Sequence, residues 1–257
     1  MWKKGWIRGI LYIFLVIALW QVAYVSKRFP PILFPSIGEI AHSFLRDLLN
    51  GSMLSRIGFS LKLILYGMII SATIAMVLTL LAMASKNFKS LVTSMISIFD
   101  PLPGIALLPL AILWIGIGEE AIIFIMIHSI IWPMLLNVIG GFSSVPAIYR
   151  DLGYAFGLKR NRFVFGILIP ASIPSILTGF KTGWSRAWRA LISAEMVFGA
   201  TGSSWGIGWD IYLKRSYLDM AGMFASLLVI MIIGIVVENL IFKTIERVTV
   251  IKWGMAL

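Results

Sequence analysis

The chain has 257 residues, of which 60% are hydrophobic, and its mean hydropathy is +0.95. Soluble domains are roughly half apolar, so this composition excludes an ordinary soluble domain and predicts an integral membrane protein. The net charge of +11 would suggest nucleic-acid binding in a soluble protein. In a membrane protein, basic cytoplasmic loops explain it better, and nucleic acid is not an expected partner. The chain has no cysteine, which excludes disulfides and thiolate metal sites.

Six apolar stretches follow one another along the chain, each a candidate membrane span. The predicted spans are residues 10–25, 57–84, 91–115, 121–140, 173–198 and 221–242. Lys3, Lys4 and Arg8 precede the first stretch, so a secretory signal peptide is an alternative there. We interpret it as an uncleaved span, because the apolar run is long and no small-x-small cleavage site precedes Ser26. The sequence therefore predicts an all-α membrane protein with six transmembrane helices in one domain.

Two features interrupt this series of spans. Ser36 and Glu39 have the spacing of a capping box and begin an amphipathic helix. Its predicted apolar stripe comprises Ile37, Ile40, Ala41, Phe44, Leu45, Leu48 and Leu49. This helix is too short and too charged to cross a bilayer, so we expect it on the outer membrane surface or against the bundle. The stretch from Asp100 to Gly104 contains two prolines and breaks the third predicted span, and such a break must be covered by protein or line a cavity.

The loop between the fourth and fifth predicted spans, residues 145–172, contains a short amphipathic helix. Gly157 has the position of a left-handed cap at the end of that helix. A basic cluster follows, which suits the cytoplasmic side of a membrane. The cluster consists of Lys159, Arg160 and Arg162. A second apolar segment then ends at Pro170, and Pro174 is predicted to open the next helix.

This loop resembles the cytoplasmic EAA loop of ABC-importer permease subunits. That motif has an acidic residue, two small residues, a glycine six positions after the acid, and a final Ile-x-Leu-Pro. The matching positions here are Asp151, Leu152, Gly153, Gly157 and the run Ile167-Leu168-Ile169-Pro170. The departures are Asp for Glu, Leu-Gly for Ala-Ala, and Ile for Leu before the proline. They resemble the looser pattern of the nitrate, sulfonate, taurine and bicarbonate branch. The alternative is an ordinary amphipathic loop helix.

The resemblance implies a permease like those of type I ABC importers, a subunit that is not itself an enzyme. It implies two ATPase subunits that bind ATP and magnesium, a second permease copy in a homodimer, and an extracytoplasmic substrate-binding protein that delivers a small anion. The helix of the loop would be the coupling helix that docks on the ATPase. The residues expected in this contact are Tyr149, Asp151, Leu152, Gly153, Phe156, Gly157 and Pro170. No cofactor is expected in this chain.

Basic residues are more frequent in the inner loops than in the outer loops when both ends of the chain are placed in the cytoplasm. This bias is the usual signature of topology in membrane proteins. It predicts cytoplasmic N- and C-termini, and the resemblance implies a multi-pass protein of the bacterial inner membrane. The same bias places the loop of residues 145–172 in the cytoplasm, independently of the resemblance.

The chain lacks the residue sets that an enzyme would need. It has two histidines and no cysteine, and no G-x-x-x-x-G-K-[ST] phosphate-binding loop, so any ATP must be bound by another subunit. An intramembrane enzyme is disfavoured because no nucleophile–base pair or metal set is apparent. An ATP-independent secondary transporter or channel remains the alternative. An inverted repeat would favour that alternative, and the sequence shows none.

The fifth predicted span carries charges where apolar residues are expected. Thr182, Arg186, Arg189 and Ser193 fall on one helical stripe, and Lys181, Trp188 and Glu195 form a second stripe. An arginine at the centre of a membrane helix costs about 2.5–3.5 kcal/mol on insertion scales. The arginines therefore line a watery pathway that attracts anions, or they form structural ion pairs with Asp100 or Glu195. The pathway candidates are Asp100, Thr182, Arg186, Arg189, Ser193 and Glu195. His128, in the fourth span, is expected to be a hydrogen-bonded structural histidine.

Overall fold

A computed structural model describes residues 2–200 and 204–252, and this part of the chain is built of helices joined by short turns. The α-helices are α1 (Trp2–Val25), α2 (Ile37–Leu49), α3 (Ser52–Ala84), α4 (Lys86–Phe99), α5 (Leu108–Ile115), α6 (Glu119–Ser144), α7 (Ala147–Ala155), α8 (Arg160–Phe163), α9 (Ile169–Phe198), α10 (Ile207–Ser216), α11 (Met220–Val236) and α12 (Lys243–Glu246). A 3₁₀ turn covers Gly104–Leu107, and π-helical segments cover Val164–Leu168, Val237–Phe242 and Arg247–Ile251.

Within the described part of the chain, four helical stretches are long and apolar enough to cross a membrane: Ser52–Ala84, Glu119–Ser144, Asn161–Phe198 and Met220–Ile251. A fifth candidate is a broken span, in which α4 and the segment Gly104–Ile115 meet at 88°. The apolar part of α1, Leu11–Val25, is shorter. The structure therefore supports four to five spans, and the sixth stays a prediction.

The prediction that Pro174 opens a new helix is wrong. One continuous helical stretch, Asn161–Phe198, passes through both Pro170 and Pro174. Pro170 lies in the first turn of α9, where its missing N–H costs little. The preceding π-helical segment, Val164–Leu168, also departs from regular α-helical hydrogen bonding. The helix that bears the charged stripe therefore reaches into the loop that was predicted to lie outside the membrane.

The core of the bundle is formed where α6 packs between α3 and α9. Ile125, Met126 and Leu135 of α6 are completely buried. Glycines allow the backbones to approach: a Cβ atom at Gly183 of α9 would lie 3.0 Å from Cγ2 of Ile130 on α6. Close packing through small residues is how membrane helices associate, since lipid gives no hydrophobic drive for helix contacts. The position and rotation of α9 are therefore fixed by α6.

Helix α2 begins at the capping box, but its buried face differs from the predicted stripe. The Glu39 N–H donates to the Ser36 hydroxyl at 3.2 Å, and the Glu39 carboxylate accepts the Ser36 N–H at 2.7 Å. The buried residues of the helix include Asp47, whereas Leu45 and Leu49 are 54% and 84% exposed. The polar side chain turns inward because Lys214 of α10 binds it at 2.6 Å.

Candidate functional site

A cavity of about 280 Å³ lies at the break of the bent span. The turn between α4 and the 3₁₀ segment forms one wall, and α6 and α9 form the others. The polar lining consists of Asp100, His128, Ser129, Arg186, Arg189 and Ser193. The cavity thus joins residues of two predicted spans and of the predicted break, and we call it the charged cavity.

The break is fixed by local chemistry. Asp100 ends α4, and Pro101 and Pro103 cannot donate the N–H groups that would continue the helix. Gly104 then packs directly on α6, where an added Cβ would lie only 2.9 Å from the carbonyl oxygen of Ile125 and would clash with Ser129. A glycine is needed for this close approach. The break therefore lines a cavity, which is one of the two environments that non-helical backbone can occupy within a bilayer.

Arg186 and Asp100 form a two-pronged ion pair at the cavity. The guanidinium Nη1 lies 2.6 Å from Oδ1 of Asp100, and Nη2 lies 3.4 Å from Oδ2. Nη1 also lies 3.4 Å from the Asp100 carbonyl oxygen. The two side chains remain 36% and 23% exposed, so the pair faces the cavity without being sealed from it. This arrangement ties α9 to the end of α4.

Arg189 differs from Arg186 because no acid of the described residues pairs with it. Its Nε donates to the Ser185 carbonyl at 3.1 Å, and no carboxylate of residues 2–200 or 204–252 lies within salt-bridge distance of it. The residue is exposed and lines the cavity, as does Ser193, whose hydroxyl donates to the Arg189 carbonyl at 2.9 Å. Two arginines and one carboxylate leave the cavity with one positive charge when His128 is neutral.

His128 does not have the hydrogen bonds that the sequence led us to expect. Neither ring nitrogen has a partner among the described residues. The imidazole packs edge-on against Trp132 and Phe99, with ring centroids 6.0 and 6.5 Å apart, and those two rings stack at 5.1 Å. The histidine therefore lines the charged cavity, but its two ring nitrogens are buried without a partner among the described residues.

The remaining pathway candidates lie away from this cavity. Thr182 is half-buried and does not line it. Glu195 is 1% exposed and points away from the arginines: its Oε1 accepts the Ser60 hydroxyl at 2.7 Å, and its Oε2 accepts the Gly208 N–H at 2.8 Å. The carboxylate thereby caps the first turn of α10. Of the two acids that were predicted to pair with the arginines of α9, Asp100 does so and Glu195 does not.

The sequence analysis did not identify a stripe of polar residues on α4. Lys86, Lys89, Ser90, Thr93, Ser94 and Ser97 line a shallow hollow of about 390 Å³ along one face of the helix. Their spacing of three and four residues is a visible signal of one helical face. Hydroxyls on this face donate to their own helix, as Thr93 does to the Lys89 carbonyl at 2.8 Å. The stripe runs from the end of α4 that follows α3 to the turn that bears Asp100.

The predicted coupling loop contains α7 and a left-handed cap. Gly157 has φ +60°, and the Leu158 N–H donates to the Gly153 carbonyl at 2.9 Å. That bond is the six-residue closure of a Schellman motif, so the prediction for Gly157 is confirmed. An added Cβ at Gly153 would lie 2.8 Å from the Phe163 ring, so only a small residue allows this contact.

The outward face of α7 is apolar. Ile148, Tyr149, Leu152 and Phe156 are 62%, 44%, 45% and 77% exposed. Asp151 is exposed beside them. Contiguous exposed apolar residues on a helix mark an interaction site. Pro170 lies apart from this face, within the first turn of α9.

A second charged cluster was missed entirely. Lys214 of α10 is 9% exposed and contacts Asp47 of α2 at 2.6 Å and Asp210 at 3.0 Å. Arg56 of α3 also binds Asp210, and Arg46 binds Asp47 at 3.0 Å. Burial raises the pKa of Asp47, but hydrogen bonds and charges from Lys214 and Arg46 outweigh burial and hold the pKa below its ordinary value. The cluster joins α2, α3 and α10.

Comparison with known proteins gives consistent results. Residues 67–249 match the family described as the inner membrane component of binding-protein-dependent transport systems. The chain is similar to an ABC transporter permease protein of Methanocaldococcus jannaschii, with 30% identity over 231 residues, 88% of this chain and 84% of the relative. It is 25% identical over 251 residues to an aliphatic sulfonates transport permease protein of Bacillus subtilis, covering 98% and 89% of the two chains. A nitrate import permease protein of Synechocystis is 29% identical over 182 residues, 71% and 65% of the two chains.

Proposed function

The chain belongs to the family of inner membrane components of binding-protein-dependent transport systems, the permeases of ABC importers, and we propose that it carries a small anion across the bacterial inner membrane. Similar proteins are named for the import of aliphatic sulfonates and nitrate. The observation that carries the proposal is the charge of the cavity. Arg189 lines it with no carboxylate of the described residues within salt-bridge distance.

An arginine in that position suits an oxyanion. Its planar fork of donors matches the geometry of carboxylate and phosphate oxygens, and we extend this to the oxygens of sulfonate and nitrate. The weak dielectric screening inside a membrane bundle strengthens the attraction. Arg186 is already occupied by Asp100, so a passing anion meets one free charge rather than two. A transport site needs such moderation, because the solute must also leave.

The polar stripe of α4 is the proposed inner half of the route. Its hydroxyls and lysines lead away from Asp100 along a face that is exposed in the single chain. A second copy of the permease would close this face in a homodimer. The polar residues of the stripe would then face a water-filled space between the two copies instead of lipid.

ATP hydrolysis belongs to two partner ATPase subunits, which bind ATP and magnesium. We propose that the apolar face of α7 docks on them, with Tyr149, Leu152 and Phe156 as contacts and Asp151 at the edge. Gly153, Gly157 and Pro170 would act indirectly, because they fix the position of α7 relative to α9. An extracytoplasmic binding protein delivers the solute on the opposite side. The topology has both termini in the cytoplasm.

Uptake by reconstituted vesicles tests the proposal. The permease, its partner ATPase and its binding protein are reconstituted, and ATP-driven uptake of methanesulfonate and nitrate is measured. Arg189→Gln should lower uptake at sub-saturating anion concentration by about ten-fold or more, since a hydrogen bond to a charged group contributes roughly 1.5–3 kcal/mol. Arg28→Gln, in a loop outside the cavity, is the matched control. Equal uptake by wild type and Arg189→Gln would refute the anion site, and uptake without ATP would favour a secondary transporter.

Substitutions of Arg186 and Arg189 distinguish a pathway residue from a member of a structural ion pair. Arg186→Met strands the Asp100 carboxylate and should lower the melting temperature of the purified protein, whereas Arg189→Met should not. The double substitution Arg186→Met with Asp100→Asn should restore much of the stability. A loss of stability for Arg189→Met equal to that for Arg186→Met would show that Arg189 also has a structural partner.

A further inference from the structure

An apolar hollow of about 610 Å³ lies between the last turns of α3 and the segment that follows α7. Leu80 and Met83 of α3 form one side, and Leu158 and Phe163 form the other. The volume is within the range of about 300–1,000 Å³ that small-molecule sites occupy. We propose that this inner hollow binds the acyl chains of an anionic phospholipid.

The lining of the inner hollow suits hydrocarbon. Phe142 of α6 is 1% exposed and closes its base, and Phe165 is 67% exposed. Asn161 is the one polar side chain among the lining residues. The π-helical segment Val164–Leu168 contributes three lining residues, and π segments recur at functional positions in helices. If this hollow were empty, the atoms of its walls would lose van der Waals contacts. Acyl chains from the surrounding membrane would restore those contacts.

Basic residues flank the inner hollow at both sides. Lys159 directly follows the lining residue Leu158, and Arg162 lies between the lining residues Asn161 and Phe163. Lys86 comes two residues after Ala84, which lines the other side. Within residues 2–200 and 204–252, no carboxylate lies within salt-bridge distance of any of the three, and Lys159 and Arg162 are exposed.

This combination selects an anionic lipid over a neutral one. Basic pockets between membrane helices at the cytoplasmic surface bind anionic head groups, because that leaflet carries negative lipids and each nearby Lys or Arg adds attraction. The apolar walls take the acyl chains, while Lys159 and Arg162 lie where the head group would emerge. A second copy of this chain is a poorer match for these basic residues than an anionic lipid, because the chain itself has a net charge of +11.

Lipid retention measures the site directly. The full-length protein is taken from nanodiscs that contain both phosphatidylcholine and phosphatidylglycerol, and the lipids that stay bound are counted by native mass spectrometry. Wild type should retain phosphatidylglycerol selectively. Lys159→Gln with Arg162→Gln should lower that selectivity about five-fold per residue removed while phosphatidylcholine still binds. Ala84→Phe, which fills the inner hollow without changing charge, should lower retention of both lipids.

Two controls decide against the alternatives. Lys243→Gln with Arg247→Gln removes the same charge from the C-terminal helical segment, away from the inner hollow, and should leave retention unchanged. An equal loss in that control would show general attraction of lipid to a basic surface and would overturn the site. The native chain has no cysteine, so Ala84→Cys provides a unique cross-linking point. Efficient cross-linking between two copies at Ala84→Cys would show that a second chain, and not lipid, fills the hollow.

Discussion

Replacement of Lys214 by methionine should destabilise the protein strongly, because its ammonium group is buried between two carboxylates. Lys214 is 9% exposed, and its Nζ lies 2.6 Å from Asp47, 3.0 Å from Asp210 and 3.0 Å from the Ser226 hydroxyl. Breaking a buried ion pair from one side typically costs about 3–5 kcal/mol, because the partner charge stays buried. Arg46 and Arg56 still neutralise the two carboxylates, so we expect about 3 kcal/mol, the lower end.

The free energy of unfolding in mixed detergent micelles measures this change. Arg46→Met is the matched control, since the Arg46 side chain is 53% exposed and exposed pairs contribute about 0.2–1 kcal/mol. Adding Asp47→Asn to Lys214→Met should recover part of the loss, because the half-exposed Arg46 compensates the buried Asp47 carboxylate only in part. Equal effects of Lys214→Met and Arg46→Met would refute the reasoning that burial decides the strength of this cluster.

Three further predictions concern α7, α2 and the topology. Gly157→Ala should reduce co-purification of the partner ATPase, because φ +60° costs a non-glycine residue on the order of 1 kcal/mol and displaces the end of α7, whereas Gly140→Ala, with open space at its Cβ, should not. Asp47 has a lowered pKa in the folded protein, so its stabilising contribution is complete above its ordinary pKa; stability measured against pH should fall only below about pH 4, as pH passes through the folded pKa. Single cysteines at Ser144 and Ser204 should react with impermeant reagents from opposite sides of the membrane, and labelling from one side alone would contradict the six-span topology.

Features that depend on neighbours in sequence were predictable. The capping box at Ser36, the left-handed Gly157 and the break after Asp100 all appear where the sequence indicates them. Each follows from the backbone preferences of a few adjacent residues. The helix through Pro174 was missed, because proline near a helix start is tolerated when the surrounding backbone supplies an irregular turn.

Features that depend on the rotation of helices were not predictable. The stripe containing Arg186 and Arg189 was visible, but nothing in its spacing distinguished the acid 86 positions earlier from Glu195 on the same helix. Lys214 and Asp47 are 167 positions apart, and no pattern in the sequence connects them. Such pairs form because the packing of α2, α3 and α10 leaves charged groups no other way to be neutralised.

Paired and unpaired charges lie in different parts of the helix bundle, which indicates different roles for them. The acids of the buried cluster on α2 and α10, Asp47 and Asp210, each have a basic partner, and Glu195 is satisfied by Ser60 and a backbone N–H. Arg189 alone among the arginines of α9 faces a cavity without an acid among the described residues. Arg189 is exposed at the cavity wall, and an unpaired cation facing lipid would be costly, so its side chain must face water or an anion. That requirement supports the proposed role of Arg189 in transport over a role in folding.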